Sequence, residues 1–385
     1  MNDPKNFSVQ ELYEKMIRQE SVRLRVPPQF INPEGIGRTA AGRDKVERFI
    51  LQYNHEVAWD DVIGNDRARE ALLEAIEAPT KHRALYEFYG MKPLKGVMLY
   101  GPPGCGKTMF AKAAASAISR IHGTKAECLV VNGPEINSKW WGETEENLRN
   151  IFTYARNYAK LHNHPLVVFF DEADTLFPDR NRGGTFRPNE ATIAQMLTEL
   201  DGMNELGAFV ILATNRPEVM DEALLRDGRI DLKIKVERPT KVAAAQILYK
   251  VLEDIPSETR LDDLVFAAVE AFHDPAYVIH EGRILIGENN EIVKDIAQNF
   301  CLEHVINGAM LTGIAGRAKS RAFKRDLVSG SQTGVKVQDI LDAIREVYEE
   351  TKLMNHQYAI QEFVEKLRPM AEALAEQPKK KGNLQ

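Results

Sequence analysis

The stretch Gly101-Pro102-Pro103-Gly104-Cys105-Gly106-Lys107-Thr108 carries the clearest chemistry in the chain. Its G-x-x-x-x-G-K-[ST] spacing brings backbone N–H groups, a cation and a hydroxyl to one polyphosphate. Glycine has no Cβ to block the approach of the backbone to phosphate oxygens. Lys107 offers an ammonium to the β- and γ-phosphates, and Thr108 offers a hydroxyl to Mg²⁺. Such a site also needs carboxylates, and Asp171-Glu172 closes the apolar run Val167-Val168-Phe169-Phe170. Asp171 suits anchoring Mg²⁺ through its water shell, and Glu172 suits orienting water for in-line attack on the γ-phosphate. Asn215, after Phe209–Thr214, can donate and accept, so it could hold the same water. Arg226 and Arg229 offer guanidinium groups to charge developing in phosphoryl transfer, and another subunit's site could receive them. The plainer alternative pairs them with Asp227 or Asp231 on the surface.

These residues need a frame. Val97–Tyr100 reads as a strand before the loop, and Phe110, Ala113, Ala114, Ala117, Ile118 and Ile121 as one face of a helix after it. A helix start adds the positive end of its dipole to the phosphate site. Further strands are expected at Cys128–Val131, Leu166–Phe170, Phe209–Leu212 and Lys233–Val236. Between them lie helical stripes at Leu148, Ile151, Phe152, Ala155 and Ala159, and at Ile193, Met196, Leu197 and Leu200. Continuous apolar strands alternating with amphipathic helices predict an α/β fold, a parallel sheet covered on both faces. Ligands of such sheets sit at the carboxyl ends of the strands.

Four regions follow: an N-terminal arm over 1–56 with a helix near Val9–Val22, the α/β domain over 57–238, a small helical lid over 239–330, and C-terminal helices with a basic tail over 331–385. The lid carries a predicted β-hairpin, Tyr277–His280 against Arg283–Ile286, turning at Glu281-Gly282. Helices are expected at Val337–Tyr348 and Tyr358–Leu367.

Composition narrows the class. The 385 residues are 44% apolar and 28% charged, the balance of a globular protein. A net charge of −6 gives no general pull toward nucleic acid. No apolar run has the length of a membrane span and no signal-peptide core is present, so a cytoplasmic setting is expected. The three cysteines, Cys105, Cys128 and Cys301, make neither a disulfide framework nor a metal cluster. Cys105 could be modified by oxidants, against the simpler reading of a small inert side chain.

In combination, GPPGCGKT, VVFFDE, ILATN and RPEVMDEALLRDGRID resemble the AAA+ ATPases, specifically the AAA clade with its second region of homology. WDDVIG and FYGMKPLKGVMLYGPPGCGKT extend the likeness from about Val57 to Lys324. The resemblance implies ATP and Mg²⁺ held by Gly101 to Met109, with Thr108 and Asp171 toward the metal and Glu172 toward water. It implies Asn215 as a sensor of the nucleotide, Ile63 and Gly64 beside the adenine, and Arg226 and Arg229 as fingers reaching the next subunit. The family's usual Gly-Ala-Asp in the helical domain reads Gly308-Ala309-Met310 here. A finger supplied in trans demands a head-to-tail interface, and the family implies a hexameric ring. Lys139-Trp140-Trp141-Gly142 matches the first pore loop, which grips a polypeptide in the channel, and Asp179–Pro188 fits a second.

The hairpin and the segment Asn307–Leu311 look like the bacterial proteasomal ATPases and their ring-forming relatives. The sequence departs from them: no long N-terminal coiled coil, no room for an oligonucleotide-type barrel, and no penultimate Tyr. The expectation is therefore a compact ring that remodels a protein partner rather than feeding a proteasome. The rivals are a nucleic-acid translocase sharing the same ATP site and a structural ring that binds ATP without hydrolysing it.

Overall fold

The computed structural model describes residues 46, 49–52, 57–125, 127–136, 143–180, 190–202, 207–281, 283–286, 294–297, 299–354, 356 and 359–366. The α/β part contains β1 (Ile50–Gln52), α1 (Asp66–Lys81), α2 (Arg83–Tyr89), β2 (Gly96–Tyr100), α3 (Lys107–His122) and β3 (Glu127–Asn132). It continues through α4 (Gly133–Ile136), α5 (Glu143–His162), β4 (Leu166–Asp171), α6 (Ala173–Leu176), α7 (Glu190–Asp201), β5 (Ala208–Thr214) and β6 (Leu232–Lys235). The six strands run in the order β1-β3-β4-β5-β2-β6. All neighbours are parallel except β1, which pairs antiparallel with β3 at the edge.

Period-two alternation divides the sheet into two apolar layers. Val97, Leu99, Val167, Phe169 and Ile211 face α1 and α3. Met98, Val168, Phe170, Val210 and Leu212 face α5 and α7. Phe169 and Phe170 are both completely buried, one in each layer. Removing a side chain of that size from water contributes about 2–3 kcal/mol. Two covered faces are what the four apolar parallel strands β2, β3, β4 and β5 require, so the sequence pattern and the architecture agree.

The sheet starts earlier than residue 57. Ile50, Leu51 and Gln52 pair with Leu129, Cys128 and Glu127, so residues 50–52 of the region assigned to the arm form the sheet edge. The expected helix at Val9–Val22 lies outside the described residues.

The lid is built from α8 (Lys241–Leu252), α9 (Leu261–Phe272), α10 (Gly308–Ser329) and α11 (Val337–Lys352), followed by α12, residues 359–366. Thr240 caps α8 by accepting from Ala243 N at 3.2 Å, and Asn307 caps α10 by accepting from Met310 N at 2.9 Å. A boundary at 330/331 does not divide the core: Ile340, Ile344, Ala359 and Phe363 share it with Leu248, Leu264, Ile314 and Ala318. An amphipathic helix must bury its stripe somewhere, and these bury theirs on the lid.

The hairpin differs from expectation. β7 (Val278–His280) and β8 (Arg283–Ile286) do not pair with each other. β8 pairs with β9 (Lys294–Ala297), and β7 pairs with β10 (Phe300–Cys301). The four strands therefore make two separate two-stranded antiparallel ribbons, with Arg283 opposite Ala297 in one and His280 opposite Phe300 in the other. Glu281-Gly282 lacks the Asn-Gly or Asp-Gly chemistry of a tight turn.

Candidate active site

Three parallel strands deliver the chemistry at their carboxyl ends. β4 ends at Asp171, β5 leads into Asn215, and β2 leads into Gly101. β5 lies between the other two, so the carboxylates are one strand further from the glycine loop than adjacency in sequence suggests, and Asn215 falls between them.

The loop itself is shaped by close approach. Gly101 has φ +145°, and a Cβ there would stand 2.0 Å from the Val236 carbonyl oxygen. Gly104 has φ +72°, and its Cβ would meet Asn307 Oδ1 at 2.7 Å. The second contact belongs to the lid, which also donates Ala309 N to the Gly104 carbonyl at 3.1 Å. Gly308 and Ala309 therefore reach the loop despite Met310 standing where the resembled motif has Asp.

Lys107 is 7% exposed, and its ammonium donates to Gly101 O at 2.9 Å, Pro102 O at 2.9 Å and Asn215 Oδ1 at 2.7 Å. Burial pulls its pKa down, against the opposing influence of Cys105, Asp171 and Asp174. A buried ammonium bonded only to neutral oxygens is a positive charge that an anion relieves. This fits the site to phosphate. Asn215 commits its carbonyl to Lys107, which leaves its NH₂ as the donor for a further group.

Thr108 donates to Asp171 Oδ2 at 3.4 Å, so hydroxyl and carboxylate stand side by side as hard oxygen donors suited to Mg²⁺. Glu172 is exposed and holds φ +50°. The other two non-glycine residues with positive φ among those described are Asn65 and Asn163, a type that tolerates this region. The Glu172 backbone is locked, its N–H donating to Asp171 Oδ1 at 3.0 Å and its carbonyl accepting from Thr175 Oγ1 at 2.8 Å.

A cavity of about 390 Å³ opens between the loop and the lid, lined by Ile63, Met109, Ile247, Val251, Gly308 and Ala309 among others. Its apolar lining suits the flat face of a base. Cys105 also lines it, and burial pushes the thiol up to about 11, against pulls from Arg238 and Lys107. A thiol so held stays protonated and unreactive, which favours the inert reading.

Sequence reasoning missed further paired groups that line this cleft. Lys250 pairs with Asp61 across the mouth of the cleft, and the hydrogen bond from Lys250 holds the Asp61 carboxyl below the usual carboxylate range. Asn65 makes a reciprocal pair with the Glu237 backbone, donating from Nδ2 to O at 3.0 Å and accepting from N at 2.6 Å. Asp61 stands inside the quoted WDDVIG segment, but nothing in one sequence places Lys250 opposite it.

The two arginines part company. Arg229 donates from Nε and Nη2 to Asp201 at 2.8 Å each and from Nη1 to the Ala223 carbonyl at 2.7 Å. Arg226 is exposed, and no ion pair joins it to another described residue. The partners expected on the plain surface reading, Asp227 and Asp231, are not those of Arg229. Lys139, Trp140, Trp141 and Gly142 lie outside the described residues, as does all of Asp179–Pro188 beyond Arg180.

Residues 97–238 match the family described as ATPase family associated with various cellular activities (AAA). A Corynebacterium diphtheriae protein named "AAA ATPase forming ring-shaped complexes" is 38% identical over 307 residues, covering 78% of this chain and 58% of that protein. A "Proteasome-associated ATPase" of Mycolicibacterium smegmatis is 36% identical over 330 residues, covering 80% of this chain and 53% of that one. Its Mycobacterium tuberculosis counterpart matches equally, at 36%. The chain spans little more than half the length of these curated relatives.

Proposed function

We propose that this chain, whose residues 97–238 are an AAA ATPase domain, acts in a ring that hydrolyses ATP to remodel a protein substrate. One observation carries the reading: the buried Lys107 ammonium, bonded to three neutral oxygens, stands beside the Thr108–Asp171 pair at the mouth of an apolar cleft. A triphosphate laid across the glycine loop puts its base in the cleft and its terminal phosphates at Lys107. Thr108 and Asp171 are the residues to hold Mg²⁺, which when bound offsets charge on the phosphate oxygens. Glu172 orients and polarises the attacking water, and Asn215 holds the Lys107 ammonium and offers its NH₂ to the γ-phosphate. Arg226 extends from the surface to the corresponding site of a neighbouring copy, which requires head-to-tail assembly.

The names of the relatives, one forming ring-shaped complexes and another associated with a proteasome, support a ring and a protein substrate. Six subunits, a threading role for Lys139-Trp140-Trp141-Gly142, and a cytoplasmic setting complete the proposal. No helix among the described residues is long and apolar enough to cross a membrane.

The test is Glu172→Gln. It keeps the side chain's size and removes its basicity, so kcat falls by about 100-fold or more while ATP affinity stays within about threefold. An unchanged hydrolysis rate overturns the water-activating role.

A further inference from the structure

Residues 221–230 form a compact turn with Arg226 on its outer side. Ala223 N donates to Asp221 Oδ1 at 2.9 Å, Leu225 N to Glu222 O at 3.0 Å, and Arg229 N to Arg226 O at 3.2 Å. Leu224 and Ile230 are fully buried and root the turn in the apolar layer below. Backbone and core alone fix its base. Near its two ends it is held by ion pairs, Asp221 with Arg180 and Arg229 with Asp201.

On one side Arg180 donates to Asp221 through Nε at 2.7 Å and Nη2 at 3.3 Å. Asp221 is 3% exposed, so its charge depends on that fork and on the Ala223 N–H. Burial opposes ionisation of Asp221, but these donors outweigh it and hold the carboxyl below the usual range. The same strip of chain is stitched by Asp179 N to Val219 O at 2.8 Å and Asp221 N to Phe177 O at 3.0 Å. It leads directly back to Glu172. On the other side Asp201, the last residue of α7, takes Arg229 in the two-pronged pair described above. α7 is in turn tied to α5 through Arg156 and Glu199 at 2.6 Å.

We infer that Arg180 and Asp201 are positioning residues that clasp the arginine-bearing turn from both sides, so that Arg226 is presented to the neighbouring copy at a fixed place relative to this chain's own Asp171 and Glu172. The inference rests on the ring reading above. Its distinctive consequence is where the damage falls. A guanidinium that must meet another molecule's phosphates loses up to about 100-fold in rate on a shift of about 1 Å. Loss of the Arg180 fork therefore leaves the variant's own loop, cleft and carboxylates intact and impairs hydrolysis at the next subunit's site. A lysine in place of Arg180 keeps the charge but not the planar fork, and restores only part of the effect.

Mixed assemblies decide the matter. Arg180→Ala alone turns over ATP about tenfold more slowly or worse, with ATP affinity within about threefold of the unmodified chain. Arg180→Ala subunits have a sound active site and a misplaced arginine; Glu172→Gln subunits have the reverse. Co-assembled, they produce seams in which an Arg180→Ala site receives a well-placed arginine, so activity exceeds the sum of the two homogeneous preparations. Arg226→Ala mixed with Glu172→Gln is the control. If the control gains activity and the Arg180→Ala mixture does not, the clasp inference falls while the ring stands. If neither mixture gains, arginine supply in trans and the clasp are both overturned. Should Arg180→Ala fail to fold, Arg180→Lys replaces it under the same criteria.

Discussion

The sequence offers Lys107, Thr108, Asp171, Glu172 and Asn215 as a set because each residue type suits the chemistry of a triphosphate, and the fold brings Lys107 to Asn215 and Thr108 to Asp171. What the sequence could not supply was their division of labour. Asn215 turns its carbonyl to Lys107, a contact visible only once β5 is known to lie between β4 and β2. The arginines show the same limit. Both sit in one short polar segment, yet Arg229 is engaged within its own chain by Asp201 and Ala223, and Arg226 is exposed. Removing a two-pronged pair that anchors a turn costs stability, whereas removing an exposed side chain does not. Arg229→Ala is therefore expected to lower the thermal unfolding midpoint by a few degrees, with Arg226→Ala unchanged; a scan of the two variants checks this. Equal midpoints would remove the anchoring role of Arg229.

Elements were read best where one period dominates. Four of the five parallel strands announce themselves as continuous apolar runs, the exception being Leu232–Lys235 with its alternating lysines, and α3, α5 and α7 as stripes at helical spacing. The ribbon in the lid was misjudged because short apolar runs do not reveal their partners, and pairing register depends on residues far along the chain. At the opposite end of α3 from the glycine loop lies another feature no motif marks. His122 and His164 stack with ring centres 4.8 Å apart, and His162 lies 5.9 Å from His164. His164 Nδ1 faces the Pro165 carbonyl at 3.0 Å, which can only accept, so Nε2 accepts from the Thr124 hydroxyl at 2.9 Å. Burial lowers the pKa of both His122 and His164, and for His164 the neighbouring imidazoles add to it against the Pro165 carbonyl. A histidine whose folded pKa lies below its unfolded value, about 6.5, contributes its full stability above that value. The contribution is lost as pH falls through the folded pKa. Thermal midpoints are thus expected to drop as pH falls below about 6.5, and to drop less in His164→Gln. An identical pH profile in the variant would mean that these imidazoles do not control it.

At the scale of the whole molecule, two cores meet at the nucleotide cleft. The sheet domain contributes the glycine loop, and the lid closes over it through Ala309 N on Gly104 O, Lys250 on Asp61, and Arg238, which donates to Glu362 at 3.2 Å. The lid is thus hydrogen-bonded directly to the glycine loop. That much follows from one chain. The remainder of the proposal requires a second copy, because Arg226 is exposed and no ion pair joins it to another described residue. The most direct test is the rate of ATP hydrolysis per chain across a dilution series, with assembly state followed in the same samples. The account predicts activity that falls with assembly and nearly vanishes in the monomer. A verified monomer that hydrolyses ATP as fast per chain as the assembled form would contradict it.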